Sequence, residues 1–321
     1  MKQIFVTGGS GFVGQNLISM LIENGYQVKA LARSAQAIQK VEQLGATAIK
    51  GDLNDKQALT VGVKDCSSVF HLAASVDFFA SEKKLKKLHV DATELLLEVA
   101  QNANVPRFVY LSAASVIMNG KPIVNAKETF VSDNIIDGYS RTKLQAENLV
   151  LKANTENFQT IAVRPPLVWG KGDPNTLVGV MEATKKGRMQ FIDGGNHRLV
   201  TCHVLNVCHA LILADQSEQN GKTYFITDGE TPIFKDFIKK YVATQGVTIP
   251  DKVVSLAMAK RVANVMEFVW KIFGLKGHPP LYIGLVNVLG VEFTTNDSKA
   301  RKELGYKPFV TIEQGLDLMR K

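Results

Sequence analysis

Cysteine is scarce in this 321-residue chain: Cys66, Cys202 and Cys208 form an odd set with no framework spacing. That excludes a disulfide-stapled secreted domain and fits free thiols in a reducing compartment. Cys202-His203 and Cys208-His209 give the pattern C-H-x4-C-H, which matches no usual zinc spacing and runs into an apolar, helix-like stretch, so no metal site is expected. Long apolar runs are also missing. The longest, Leu281 to Val291, follows Pro279-Pro280 and falls well short of the ~20 residues a spanning helix needs. The apolar residues at the N-terminus belong to a strand and are cut by a glycine turn, so they do not read as a signal peptide. The expectation is a cytoplasmic protein. Low-complexity tracts and repeats of solenoid period are absent as well.

Acidic residues are outnumbered, 30 against 38 Lys and Arg, which leaves a formal charge of +8. The excess is local. Four lysines crowd Glu82 to Lys87, and Lys252, Lys260, Arg261, Lys271 and Lys276 cluster later. No nucleic-acid motif stands beside them, so no nucleic-acid partner is expected. Most of this charge reads as a solvated surface whose field attracts an anionic cofactor. The apolar fraction of 45 % and the charged fraction of 21 % are those of an ordinary globular protein, long enough for two lobes.

What is present is alternation. Strand patterns lie at 3–7, 26–32, 46–49, 68–72, 107–112 and 160–164, and helical patterns at 12–24, 34–44, 55–62, 83–103 and 138–154. Such alternation implies an α/β Rossmann fold, a doubly wound parallel sheet covered on both faces. Regularity fades after Arg164-Pro165-Pro166. A helix near 176–187, a strand-like piece at 222–227 and a mostly helical C-terminal third follow. We read residues 1–165, with 196–227 returning, as a dinucleotide-binding domain. Residues 166–195 and 228–321 form a smaller, interleaved substrate lobe.

The run Thr7-Gly8-Gly9-Ser10-Gly11-Phe12-Val13-Gly14 joins the first strand to the first helix. Gly8 permits the tight turn, Gly11 lets a pyrophosphate reach the backbone, and Gly14 lets the helix pack against the strand. The N–H groups opening that helix, at Phe12 and Val13, face the phosphates. The second strand ends without the carboxylate that would bind a ribose 2′-hydroxyl; it runs into Arg33-Ser34. A guanidinium there suits a 2′-phosphate, so NADP is preferred and NAD remains possible. Asp52, in Gly51-Asp52-Leu53, is placed to accept from the adenine amine. His71-Leu72-Ala73-Ala74 offers small residues where the cofactor passes. Thr7, Leu53, Leu72, Ala73, Ala74 and Pro166 complete the cofactor candidates.

Tyr139 and Lys143, in Y-S-R-T-K, sit at i and i+4 and share a helix face, Cβ atoms ~6 Å apart. A nearby ammonium lowers the pKa of a phenol and lets it exchange protons with a carbonyl or alcohol oxygen. Ser112 and Ser115, after the fifth strand, are both candidates to hold that oxygen, with Ser112 favoured.

These stretches resemble the extended short-chain dehydrogenase/reductase superfamily, and most closely its 3β-hydroxysteroid dehydrogenase-like branch. The likeness covers nearly the whole chain. It is carried by Thr7 to Gly14, Gly51-Asp52-Leu53, His71 to Ala74, F-V-Y-L-S-A-A-S-V (108–116), Tyr139…Lys143, R-P-P-L-V-W-G-K-G-D-P (164–174), H-V-L-N-V-C-H-A (203–210) and G-K-T-Y-F-I-T-D-G-E (221–230). The resemblance implies an NAD(P)-dependent oxidoreductase acting on a secondary alcohol or ketone of an apolar, steroid-like or long-chain 3-oxo substrate. Tyr139 and Lys143 would be its catalytic pair, and a homodimer is implied through helices such as 83–103 and 138–154. Two positions depart from the family pattern. Ala113 stands where the second of a hydroxyl pair is usual, and His89 stands near the usual asparagine. Residues 253–274 read as a substrate-cavity wall, as an interfacial helix in a peripheral membrane contact spanning 253–290, or as lobe core. A nucleotide-sugar epimerase and a non-catalytic NAD(P) sensor are the competing readings.

Overall fold

The computed structural model describes residues 2–76, 80–275, 277 and 279–320, so Lys276 lies outside the described residues. Seven strands form the central sheet: β1 (Gln3–Thr7), β2 (Gln27–Ala32), β3 (Thr47–Lys50), β4 (Ser68–His71), β5 (Arg107–Leu111), β6 (Gln159–Arg164) and β7 (Lys222–Phe225). Their order is β7-β6-β5-β4-β1-β2-β3 and every pairing is parallel. This is the doubly wound sheet the alternation implies. The order reverses between β1 and β4, and the crevice at such a switch point is where these sheets hold ligands. Thr7 pairs with His71 and His71 with Tyr110, so β1, β4 and β5 end level with one another at that crevice.

The sheet is buried on both faces, which is why its strands read as continuous apolar runs. Ile4 and Val6 point into one core with Leu17, Ile18 and Leu21 of helix α1 (Phe12–Glu23) and Leu211 of the helix Val204–Gln216. Phe5, between them, points into the opposite core with Leu59, Leu96 and Val150. Fit there is close: a methyl on Gly62 would lie 2.5 Å from Phe5 Cζ. Burying each such side chain contributes roughly 1.5–3 kcal/mol.

Two details depart from the sequence expectation. The single helix expected over 83–103 is built as Glu82–Lys86 and Ala92–Asn102 joined by a π-helical turn, Lys87–Asp91. Apolar periodicity cannot report one added residue inside a continuous helix. The strand expected over 222–227 stops at Phe225 and lies at the edge of the main sheet, beside β6.

A third core, around Trp169, Phe191, Phe234, Phe237 and Tyr241, fills the region beyond β6. Buried Asp228 ties it to the sheet side, accepting from Trp169 Nε1 (2.7 Å), Thr201 Oγ1 (2.8 Å), the His203 N–H (2.6 Å) and Asn206 Nδ2 (2.8 Å). Helix Leu256–Ile272 buries only Ala259 and Ala263 and leaves Met258, Val265, Phe268 and Ile272 exposed. Its outer face is therefore not core.

Candidate active site

The glycine turn caps the switch point. Gly8 has φ +74°, and a methyl there would lie 2.7 Å from Ala73 N, so this glycine also lets the chain leaving β4 cross directly over it. A methyl on Gly14 would lie 2.7 Å from Gly9 Cα, which confirms close seating of α1 on the turn. Gly9, given no task by the sequence reading, is less constrained: a methyl there would meet the flexible end of Ile18, with Cδ1 at 2.8 Å. Gly11 caps α1 with no side-chain hydrogen bond, and the first turn carries no acid. The free N–H groups and the positive end of the helix are thus left for an anion. The turn fits a dinucleotide pyrophosphate.

The remaining cofactor candidates fall at or near the same sheet edge, with differing roles. Phe12 and Val13 are half-buried against the first core. Thr7 is fully buried, its hydroxyl 2.7 Å from His71 Nδ1 and 3.4 Å from the Ala73 N–H, so its side chain fixes the turn from beneath and is not free to meet a ligand. Arg33 is exposed after β2; Ser34 caps the next helix, accepting from Ala37 N–H at 3.2 Å. Asp52 is exposed and accepts from Asn54 N–H at 2.8 Å, while Leu53 leans on the second core. Leu72 is buried, Ala73 and Pro166 are half-buried and Ala74 is exposed.

The helix Gly138–Lys152 starts at Asp137, whose carboxylate accepts from Ser140 N–H at 2.7 Å. Tyr139 and Lys143 are both buried on it, and Lys143 Nζ donates to Leu111 O at 2.7 Å, the last residue of β5. The ammonium also lies 4.2 Å from the Tyr110 ring centroid. Burial pushes the Lys143 pKa down to about 7, with Glu147 opposing. Burial, then Asp137, pushes the Tyr139 phenol up. Helical spacing alone has the ammonium lowering the phenol; in the fold, desolvation of the phenol sets the direction instead.

Two neighbours escaped the sequence reading. Glu147 continues the line at i+8 from Tyr139 and forms a buried, bidentate ion pair with Arg164, Nε to Oε2 at 2.8 Å. The spacing 139, 143, 147 was visible as a signal; the arginine partner, from β6, was not. Ser112 is buried and its hydroxyl has no hydrogen-bond partner among the described residues, whereas half-buried Ser115 sits 3.0 Å from Ser140 Oγ and so braces the helix start.

A glycine turn at the switch point, beside a buried tyrosine–lysine pair, defines a dinucleotide-dependent oxidoreductase of the extended short-chain dehydrogenase/reductase type. The chain belongs to the 3-beta hydroxysteroid dehydrogenase/isomerase family, whose model matches residues 5–258. It is similar to a 4-hydroxy-2-methyl-3-oxo-4-farnesyl-3,4-dihydroquinoline-1-oxide ketoreductase from Stigmatella aurantiaca, 38 % identical over 99 % of this chain and 95 % of that one. It is likewise similar to a decarboxylating sterol-4-alpha-carboxylate 3-dehydrogenase from Dictyostelium discoideum, 35 % identical over 99 % of both. Among solved structures, a UDP-glucose 4-epimerase from Thermotoga maritima superposes with a TM-score of 0.76 at 20 % identity, over 99 % of this chain and 97 % of that one, a likeness of fold alone. The chain is an NAD(P)-dependent oxidoreductase that interconverts a secondary alcohol and a ketone on an apolar substrate.

Proposed function

We propose that Tyr139 is the general acid/base of this reaction, on a steroid-like or long-chain 3-oxo/3-hydroxy substrate. The bound dinucleotide supplies or accepts the hydride at the carbonyl carbon. In reduction, Tyr139 Oη gives its proton to the carbonyl oxygen; in oxidation it takes the proton from the alcohol. Lys143 holds the nicotinamide ribose hydroxyls, and Ser112 donates to the substrate oxygen. The observation that carries this reading is the burial of Tyr139 and Lys143 on one helix face, with Lys143 Nζ on the terminal carbonyl of β5, two strands along the sheet from the glycine turn after β1. Gly8, Gly11 and Gly14, with the first N–H groups of α1, hold the pyrophosphate. The test is a panel of 3-oxo acids, ketosteroids and sterol acids followed by NADPH and NADH absorbance. Turnover with at least one member, lost by roughly 10²–10⁴-fold in Tyr139→Phe, is expected; a fully active Phe variant would overturn the assignment.

NADP is the preferred cofactor in this reading, through exposed Arg33 at the end of β2. The substrate lobe comprises 166–195 and 228–321. Helix Leu256–Ile272 carries Lys260, Arg261 and Lys271 around its exposed apolar face. Its only acid, Glu267, is turned to the Ile283 N–H at 2.8 Å. An apolar stripe rimmed by cations suits peripheral contact with an anionic lipid surface. No helix among the described residues is long and apolar enough to cross a membrane. The enzyme is a cytoplasmic homodimer in this reading, which sedimentation equilibrium checks.

A further inference from the structure

Two buried histidines lie between the glycine turn and the Tyr139 helix. His71 Nδ1 is 2.7 Å from Thr7 Oγ1 and His71 Nε2 is 2.9 Å from Thr93 Oγ1. Thr93 Oγ1 also bonds the His89 carbonyl, within the π-helical turn. His89 Nε2 is 3.0 Å from the Ser75 N–H, and its Nδ1 is 2.9 Å from Thr142 Oγ1. Thr142 Oγ1 in turn lies 2.7 Å from Gly138 O.

Carbonyl oxygens and backbone N–H groups fix the polarity of this chain. Thr142 gives its only proton to a carbonyl, so it accepts from His89 Nδ1–H. The Ser75 N–H needs an acceptor, and His89 Nε2 provides it. Thr93 gives its proton to the His89 carbonyl, so it accepts from His71 Nε2–H, and His71 Nδ1 accepts from Thr7. Each histidine is thus a neutral, single tautomer. Burial, with Lys143 second, holds His89 down to about 4 and His71 down to about 3, in keeping with neutral rings. Thr93 reaches the His89 carbonyl four residues back, the usual back-bond of a threonine in a helix. The His89 ring also stands edge-on to Tyr139, centroids 5.6 Å apart.

We infer that His89 is a positioning residue that clamps the loop leaving β4 to Thr142, near the start of the Tyr139 helix, one ring nitrogen on each. That loop is the segment lying directly over Gly8. Through its Nε2 arm the ring sets where the loop runs along the dinucleotide. Through its Nδ1 arm and its edge contact it sets where the phenol points. Dinucleotide and acid are thereby held in one register, although they sit on segments far apart in sequence.

The two arms separate experimentally. Asn at a histidine position reproduces Nδ1, and Gln reproduces Nε2. His89→Asn keeps the Thr142 arm and releases Ser75. Its expected result is a roughly tenfold rise in KM for the dinucleotide with kcat within about threefold of the native enzyme. His89→Gln keeps the Ser75 arm and releases Thr142; kcat should fall roughly tenfold or more with little change in dinucleotide KM. Thr142→Val should copy the Gln variant. The inference rests on Tyr139 as the acid/base, and Tyr139→Phe tests that separately. If Tyr139→Phe is inactive but the two His89 variants match the native enzyme, or shift kcat and KM by the same factor, or lose only thermal stability, the clamp is refuted and the acid/base assignment stands.

Discussion

Lys143→Met separates the two jobs of the catalytic helix, chemistry and folding. The native ammonium is buried, and its pKa falls from 10.5 to about 7, three to four units. At about 1.4 kcal/mol per unit, the cost of keeping that charge folded is on the order of 5 kcal/mol. The Tyr110 ring, 4.2 Å away, and the Leu111 carbonyl oppose it. The sign follows from linkage. The unfolded chain holds this proton up to about pH 10.5 and the folded chain releases it near pH 7. Folding therefore sheds a proton in that window, and native stability gains from rising pH across it. The Met variant has no such group, and every other titration is common to both proteins. Urea unfolding of the cofactor-free proteins between pH 7 and 10 should show the native chain gaining on Lys143→Met by about 1 kcal/mol per pH unit, while the variant has lost turnover. Parallel stability curves would mean that Lys143 keeps an ordinary pKa and that its burial has been misjudged.

Arg33→Ala should raise KM for NADPH about tenfold or more and leave KM for NADH nearly unchanged; equal effects in initial-rate assays would remove Arg33 from the cofactor site. Ser112→Ala should cut kcat roughly ten- to a thousandfold if its unpartnered hydroxyl meets the substrate oxygen. Unchanged turnover there, with a gain in Ala113→Ser, would move the role to the neighbouring position. Native protein should float with phosphatidylglycerol vesicles at low salt, and Phe268→Ser with Ile272→Ser should weaken this at least fivefold, an estimate from the apolar area removed. Equal flotation would assign that face elsewhere.

Much of the fold was legible because strand and helix periods are local properties. The run at Gln3–Thr7 and the glycines that follow specify a buried strand, a turn and a helix start whatever surrounds them. Tyr139 and Lys143 were legible for the same reason, since helical spacing alone places them together. The exposed outer face of Leu256–Ile272 was not, because an apolar stripe reads alike whether it meets a core, a cavity or solvent.

The amino-acid order by itself determined the alternation that implies a parallel sheet, and also the glycine turn and the tyrosine–lysine spacing, the last two each written within a few consecutive residues. Only tertiary packing decided the electrostatics of that pair and the company it keeps. Burial is a property of everything stacked around a group, and it reversed the expected direction of the Tyr139 pKa. Packing also brought Arg164 to Glu147 and set His89 between Ser75 and Thr142. Those partners lie on separate segments of the chain, so no local pattern could announce them.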